Sequence, residues 1–161
     1  MPLYFAYGAN MNVAAMRQRA PNSRVLGRAR LARHKFFIMK SGFASVKRDP
    51  YADVHGVLFD LALSDVPALD RYEEVGRGLY TKVTQPVLRE AGAAVRALVY
   101  LGASTADGKP TAAYLDTILG GAKENGLPED YIAFLAAFGG VENGQGTRLR
   151  AIKAKDVGID P

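Results

Sequence analysis

At 161 residues, 48% of them apolar, the chain has the length and hydrophobic content of one compact domain, taken here as residues 1–161 with a loosely packed tail from about 141. Cysteine is absent, which excludes disulfide scaffolds, zinc–thiolate and iron–sulfur ligation, and a cysteine nucleophile. The net charge of +5, with a pI near 9.5, gathers between Arg24 and Arg48 without aromatic interleaving or a reader motif, so no nucleic-acid partner is expected.

Residues 3–7 read as a short buried strand. No basic leader or long apolar core precedes it, so neither a signal peptide nor a membrane span is expected, and the protein is placed in the cytoplasm. The strand runs into a glycine turn, Tyr7-Gly8-Ala9-Asn10-Met11. Gly8 has no Cβ, so positive φ is open to it and another molecule's oxygen can approach the main chain closely. Such a turn can present backbone donors, half of an acyl-transfer site, although turns of this kind also serve architecture alone. Residues 12–19 follow as a short helix that Pro21 cannot continue.

From Arg24 the pattern changes to strands over 25–31, 35–39, 44–46 and 55–61, separated by Gly42, Asp49 and Pro50. In the first of them Arg28 and Arg30 alternate with Ala29 and Leu31, the pattern of a strand with one wet face. Ser64 then offers a helix N-cap, with Asp65 in the first turn and Pro67 early enough to be tolerated; the helix runs through Leu69 toward Tyr72, with Glu73 at its far end. A strand pair over 80–88 and 93–101 turns around Gly92, and Pro86 marks an edge or bulge. Helix 111–123 places Tyr114, Ile118 and Ala122 on successive turns and stops at Gly126 and Pro128. Helix 129–138 carries Ile132, Leu135 and Ala136 on one stripe and ends at Gly139 and Gly140. A loop to Gly146 and a short strand over 147–152 complete the chain. Strands first and helices later, without regular alternation, indicate an α+β fold with a largely antiparallel sheet. A small closed or nearly closed barrel removes the exposed edges that so many short strands create.

No Walker A pattern occurs, and no GxGxxG follows a strand and opens a helix. His34 and His55, the two histidines, lie on different strands outside any HExxH frame, so no metal site is expected. Without a GxSxG elbow, Ser41, Ser45 and Ser64 read as structural. The remaining chemistry is the carboxylate group Asp70, Glu73 and Glu74 at the end of a helix. Acidic residues there oppose the helix dipole by about 0.3–1 kcal/mol each, too little to separate a functional cluster from a solvated one.

Four segments together carry a resemblance. Tyr7-Gly8-Ala9-Asn10-Met11 resembles the N-terminal YGSNL signature of the gamma-glutamylcyclotransferase family, and Leu69-Asp70-Arg71-Tyr72-Glu73 through Tyr80 resembles its LDxxEGxxxGxY segment. Gly56-Val57-Leu58-Phe59 is similar to the family's WGVLY strand, and Gly121-Ala122-Lys123-Glu124-Asn125-Gly126-Leu127-Pro128 to its GAKENGLP run. They occur in family order from residue 3 to about 131. The resemblance implies a small mixed, mainly antiparallel barrel with peripheral helices, and a cavity in which the glycine loop faces one glutamate. Glu73 matches the acid/base glutamate. Tyr7, Gly8, Ala9, Asn10 and Met11 match the loop that holds the glutamyl group, and Tyr114 aligns with a tyrosine of the substrate cavity. Tyr80 aligns with the tyrosine after the glutamate segment, which core packing explains equally well. The implied reaction is cofactor-free cyclisation of a gamma-glutamyl amino acid or amine to 5-oxoproline and the free amine. Cyclising removal of the group from a modified metabolite, or a non-catalytic small-molecule-binding domain, are the alternatives; monomer and homodimer both stay open. Two positions depart from the pattern: Ala9 stands where serine is common, and Glu74 where glycine usually follows the glutamate. A side chain at 74 narrows the cavity, adds a negative charge beside Glu73, or points outward.

Overall fold

The computed structural model describes residues 2–140, so the expected strand over 147–152 and the tail lie outside the described residues. Five strands make a closed barrel: β1 (Leu3–Ala6), β2 (Arg24–Ile38), β3 (Ala44–Asp60), β4 (Tyr80–Arg89) and β5 (Ala94–Gly102). Their order around the barrel is β1-β3-β2-β4-β5, and every pairing is antiparallel except the closing one, β1 with β5, where Tyr4 faces Leu98. Among the described residues, four helices surround it: α1 (Val13–Arg19), α2 (Val66–Tyr72), α3 (Ala112–Glu124) and α4 (Glu129–Ala136). The mainly antiparallel small barrel expected from the sequence is therefore present. Among the described residues no helix is long and apolar enough to cross a membrane.

Where the sequence predicts four short strands between residues 25 and 61, the fold has two long ones. Bulges absorb the breakers. β2 bends between Val25 and Gly27 and again between Ala32 and His34, where Arg33 adopts φ +61°. A bulge keeps the ladder while turning the strand, which lets a 15-residue strand wrap a small barrel. In β3 the partner jumps from His34–Arg48 to Ala32–Asp53, so residues 49–52 arch outward, with Tyr51 fully in solvent. Asp49 and Pro50 mark that arch rather than a strand end. Arg28 and Arg30 are exposed and Ala29 and Leu31 buried, as their alternation requires.

Helix starts follow local chemistry. The Asn12 side chain accepts from Ala15 N at 3.0 Å to cap α1, and Thr111 Oγ1 accepts from Tyr114 N at 3.2 Å to cap α3. Ser64, the expected cap of α2, instead sits inside a 3₁₀ turn, Leu63–Asp65, and Asp65 takes the N-cap place. No side chain caps α2. The Asp65 carboxylate is committed elsewhere, accepting from Asn22 N at 2.8 Å and Asn22 Nδ2 at 3.2 Å. The core fills the barrel and continues under α3, with Phe5, Met11, Leu31, Phe36, Leu58, Val99 and Ile118 fully buried.

Candidate active site

At one end of the barrel β1 stops at Ala6, and the chain turns through a single 3₁₀ turn, Ala9–Met11, into α1. Such a turn leaves its leading N–H groups without acceptors of its own, here those of Ala9 and Asn10. Gly8 has φ −118°, so the positive φ allowed to it is not used. Its contribution is spatial. A Cβ there would stand 3.5 Å from Ala44 Cβ and 3.6 Å from Tyr114 Oη, inside the cavity that the turn borders.

Glu73 enters the same cavity as the residue that closes α2, its N–H bonded to Leu69 O at 3.0 Å. The residue is 8% exposed. Asn10 Nδ2 donates to Glu73 Oε1 at 3.5 Å and to Tyr4 Oη at 3.0 Å, while Arg19 Nη1 donates to Asn10 Oδ1 at 3.1 Å. Burial pushes the Glu73 pKa up to about 8; the Arg19 guanidinium pulls against this, and the Asp70 carboxylate adds a push. Near neutral pH the group can therefore both take and return a proton.

Six of the chain's eight tyrosines line this cavity: Tyr4, Tyr7, Tyr72, Tyr80, Tyr100 and Tyr114. Burial holds Tyr4, Tyr7, Tyr80, Tyr100 and Tyr114 neutral, with pKa values well above the usual phenol range. Their hydroxyls are not equivalent. Tyr7 donates to Tyr100 O, Tyr80 to Ala44 O and Tyr100 to Asp70 Oδ1, each at 2.5 Å, so these three protons are committed to protein acceptors. Asp70 also holds Lys82 Nζ at 2.8 Å. Tyr114 accepts from Ala44 N at 3.0 Å and Tyr4 accepts from Asn10, which leaves the proton of each free to point at a bound molecule. The free space at the centre is about 20 Å³, about one water's worth. A larger occupant must part these walls.

The structure brings Tyr7, Gly8, Ala9, Asn10, Glu73, Tyr80 and Tyr114 together around one cavity. Met11 is the exception among the expected site residues: it is fully buried and packs under α3. Glu74 points outward, pairing with Arg77 at 3.1 Å, and so neither narrows the cavity nor enters it. It takes the left-handed conformation, φ +53° and ψ +43°, which explains a preference for glycine at this position. Sequence reasoning missed Tyr4, Tyr72, Tyr100 and Ala44 in the wall, and Arg19 behind it. A signal existed for Tyr4 and Tyr100, because a phenol in a buried strand needs a hydrogen-bond partner that Phe or Val would not. His34 and His55 lie elsewhere, one bonded to Ala32 O and the other packed on Tyr131.

The GAKENGLP run stands behind the turn rather than in the cavity. Asn125 Nδ2 donates to Met11 O at 2.9 Å and to Gly121 O at 2.8 Å. A Cβ at Gly121 would lie 2.5 Å from Asn12 N, so glycine lets α3 press against the turn's backbone.

Comparison with known proteins gives a consistent picture. The AIG2-like family matches over residues 53–135. Gamma-glutamylcyclotransferase from Homo sapiens is 31% identical over 139 residues, covering 80% of this chain and 74% of the human protein; the Mus musculus protein of the same name is 30% identical over the same spans. Among solved structures, a gamma-glutamyl cyclotransferase superposes with a TM-score of 0.80 at 27% identity, covering 94% of this chain and 98% of that one.

Proposed function

The chain belongs to the AIG2-like family of gamma-glutamylcyclotransferase relatives, and on that premise we propose that it cyclises a gamma-glutamyl amino acid or gamma-glutamyl amine, releasing 5-oxoproline and the free amine. The observation that carries the reading is the juxtaposition of a buried Glu73 with the Gly8–Asn10 turn across one tyrosine-walled cavity.

In this reaction the substrate's α-amino nitrogen attacks its own γ-carbonyl carbon, a new C–N bond closes the five-membered lactam, and the original amide C–N bond breaks. Both reacting groups sit on one molecule, so holding the ring-closing conformer is the main task; well-oriented intramolecular attack lowers a barrier by about 7–11 kcal/mol. Gly8, without a side chain, leaves room for the folded glutamyl group beside Tyr114. Backbone N–H groups of Ala9 and Asn10, with the free hydroxyl proton of Tyr114, hold the substrate carboxylate or the oxygen that becomes negative on attack. These donors do not need a hydroxyl at position 9, so alanine there is compatible with the role.

Glu73 as carboxylate takes a proton from the α-ammonium, then returns it to the departing nitrogen. Burial brings the Glu73 pKa from 4.5 up to about 8, much nearer to that of an amine than an ordinary carboxylate is, so the proton transfer from the ammonium is less uphill. General acid–base catalysis of this kind contributes about 10²- to 10⁴-fold. Glu74, turned away toward Arg77, removes one reason to read the domain as a binder that has lost activity.

The test is incubation with a panel of gamma-glutamyl amino acids and amines, following 5-oxoproline, for the wild type and Glu73→Gln. Wild-type turnover with at least a hundredfold loss in the variant, at unchanged fold, is the expected result. Binding without turnover across the panel, or a Glu73→Gln variant as fast as wild type, overturns the assignment.

A further inference from the structure

We infer that Arg19 is a positioning residue for the reaction proposed above: it locks the side-chain amide of Asn10 so that the NH₂ end faces the Glu73 carboxylate. The inference rests on that reading of Glu73. A guanidinium has only donors, so the atom of Asn10 that meets Arg19 Nη1 at 3.1 Å must be the carbonyl Oδ1. The amide is planar, and its NH₂ is thereby directed to the opposite side. There it finds two oxygens, Tyr4 Oη at 3.0 Å and Glu73 Oε1 at 3.5 Å. A flipped amide would set carbonyl against carboxylate and NH₂ against guanidinium, losing the interaction at both ends.

Arg19 is itself held. As the last residue of α1 it lies with its guanidinium 3.6 Å from the centre of the Tyr72 ring, and Tyr72 immediately precedes Glu73. One side chain thus ties the end of α1, the glycine turn and the end of α2. A donor aimed at Glu73 favours its ionised form, the form that accepts the substrate's proton.

Beside that neutral amide, two charged groups bear on Glu73: Arg19 from α1, which favours the carboxylate, and Asp70 from α2, which disfavours it. The titratable neighbours are Tyr4 from β1, Tyr7 just after it, Tyr72 from α2, Tyr80 from β4, Tyr100 from β5 and Tyr114 from α3; burial holds Tyr4, Tyr7, Tyr80, Tyr100 and Tyr114 neutral. Removing Arg19 therefore moves the Glu73 titration upward, away from neutrality.

The experiment follows the Glu73 carboxyl carbon by ¹³C NMR against pH, assigned by difference with Glu73→Gln, in Arg19→Met, Arg19→Lys, Asn10→Ala and the Arg19→Met/Asn10→Ala pair. Each single removal is expected to shift the titration upward, the pair to shift it by less than the two together, and lysine to fall between wild type and methionine. The rate of 5-oxoproline formation at pH 7 is expected to drop about tenfold for each pH unit the acid limb moves, and to recover at high pH. A loss uniform across pH, a folded Arg19→Met titrating like wild type, an undiminished Arg19→Met shift in the Asn10→Ala background, or complete rescue by lysine overturns the inference. Should Arg19→Met fail to fold, Arg19→Lys and Asn10→Ala decide it, by the same coincidence of shifts. If the wild type forms no 5-oxoproline from any gamma-glutamyl compound, the proposed function falls, while the carboxyl titration still reports on Arg19.

Discussion

Glu73 combines two properties that pull against each other: a carboxylate useful at neutral pH and a site that disfavours its charge. With a folded pKa of about 8 against 4.5 in an unperturbed chain, the folded state binds more protons than the unfolded one through that interval. Linkage then fixes the sign. The stability that protonated Glu73 permits is fully present below about pH 4.5 and is lost as pH rises through about 8, by up to ~5 kcal/mol from this group alone. Glu73→Gln is neutral at every pH, so urea unfolding is expected to show it more stable than wild type at pH 8 to 9, with the gap closing toward pH 5. A gap independent of pH would mean that Glu73 is not the group that titrates. The next residue makes the opposite case. Glu74 holds a left-handed conformation at φ +53°, and its ion pair joins it to an Arg77 side chain that is 83% exposed, which contributes little. Glu74→Gly is expected to raise stability by about 0.5–1 kcal/mol in urea titration, because glycine reaches this conformation without the Cβ penalty. Turnover should persist, since the Glu74 carboxylate faces away from the cavity.

At the scale of elements, the contact that matters most to the site is α3 against the turn that follows β1. The turn has three residues, and Met11, fully buried under α3, is its main apolar anchor. Its position also comes from behind, through Asn125 bonded to Met11 O and through the close approach at Gly121. Two adjacent glycines of α3 make a controlled pair. At Gly121 a methyl group would meet Asn12 N at 2.5 Å and Met11 C at 2.6 Å, both backbone atoms that cannot swing aside; at Gly120 it would meet only Asn12 Nδ2 at 3.5 Å, an ordinary contact. Gly121→Ala is expected to cost about 1–3 kcal/mol and to raise KM, because the strain is relieved by displacing the donor turn. Gly120→Ala should be neutral or stabilising by up to ~1 kcal/mol through helix propensity, with KM unchanged. Equal effects in thermal melts and saturation kinetics would show that α3 does not position the turn. Much of this scale is legible in the sequence: the helices, their Asn12 and Thr111 caps, and the wet face of β2 follow from local pattern. The long strands are not, because a bulge looks like a break when only neighbours in the chain are considered. Arg33 and the arch over residues 49–52 acquire meaning only once β2 and β3 are paired.

The cavity wall draws on the whole molecule: Tyr4 from β1, Gly8 to Asn10 from the turn, Ala44 from β3, Glu73 from the end of α2, Tyr80 from β4, Tyr100 from β5 and Tyr114 from α3. That dispersal is why the site was only half legible. Glu73 and the glycine turn stood out through the resemblance of their segments, but the convergence of Tyr4 and Tyr100 depends on the parallel β1–β5 pairing that closes the barrel, which no local pattern encodes. The same dispersal makes the site a reporter of closure. No partial barrel can present Glu73 to the turn within a tyrosine wall, so the site should exist only while the entire fold does. The chain has no tryptophan, and six of its eight tyrosines sit in this wall, so intrinsic fluorescence is largely a signal from the cavity. Turnover, tyrosine fluorescence and far-UV circular dichroism are therefore expected to share one urea midpoint. Phe5→Ala, which empties a fully buried place on β1, should cost about 3–5 kcal/mol of stability and so lower that midpoint for all three signals together. Fluorescence and turnover lost at lower urea than the dichroism would instead mean that the site opens as a unit of its own, with the barrel intact beneath it.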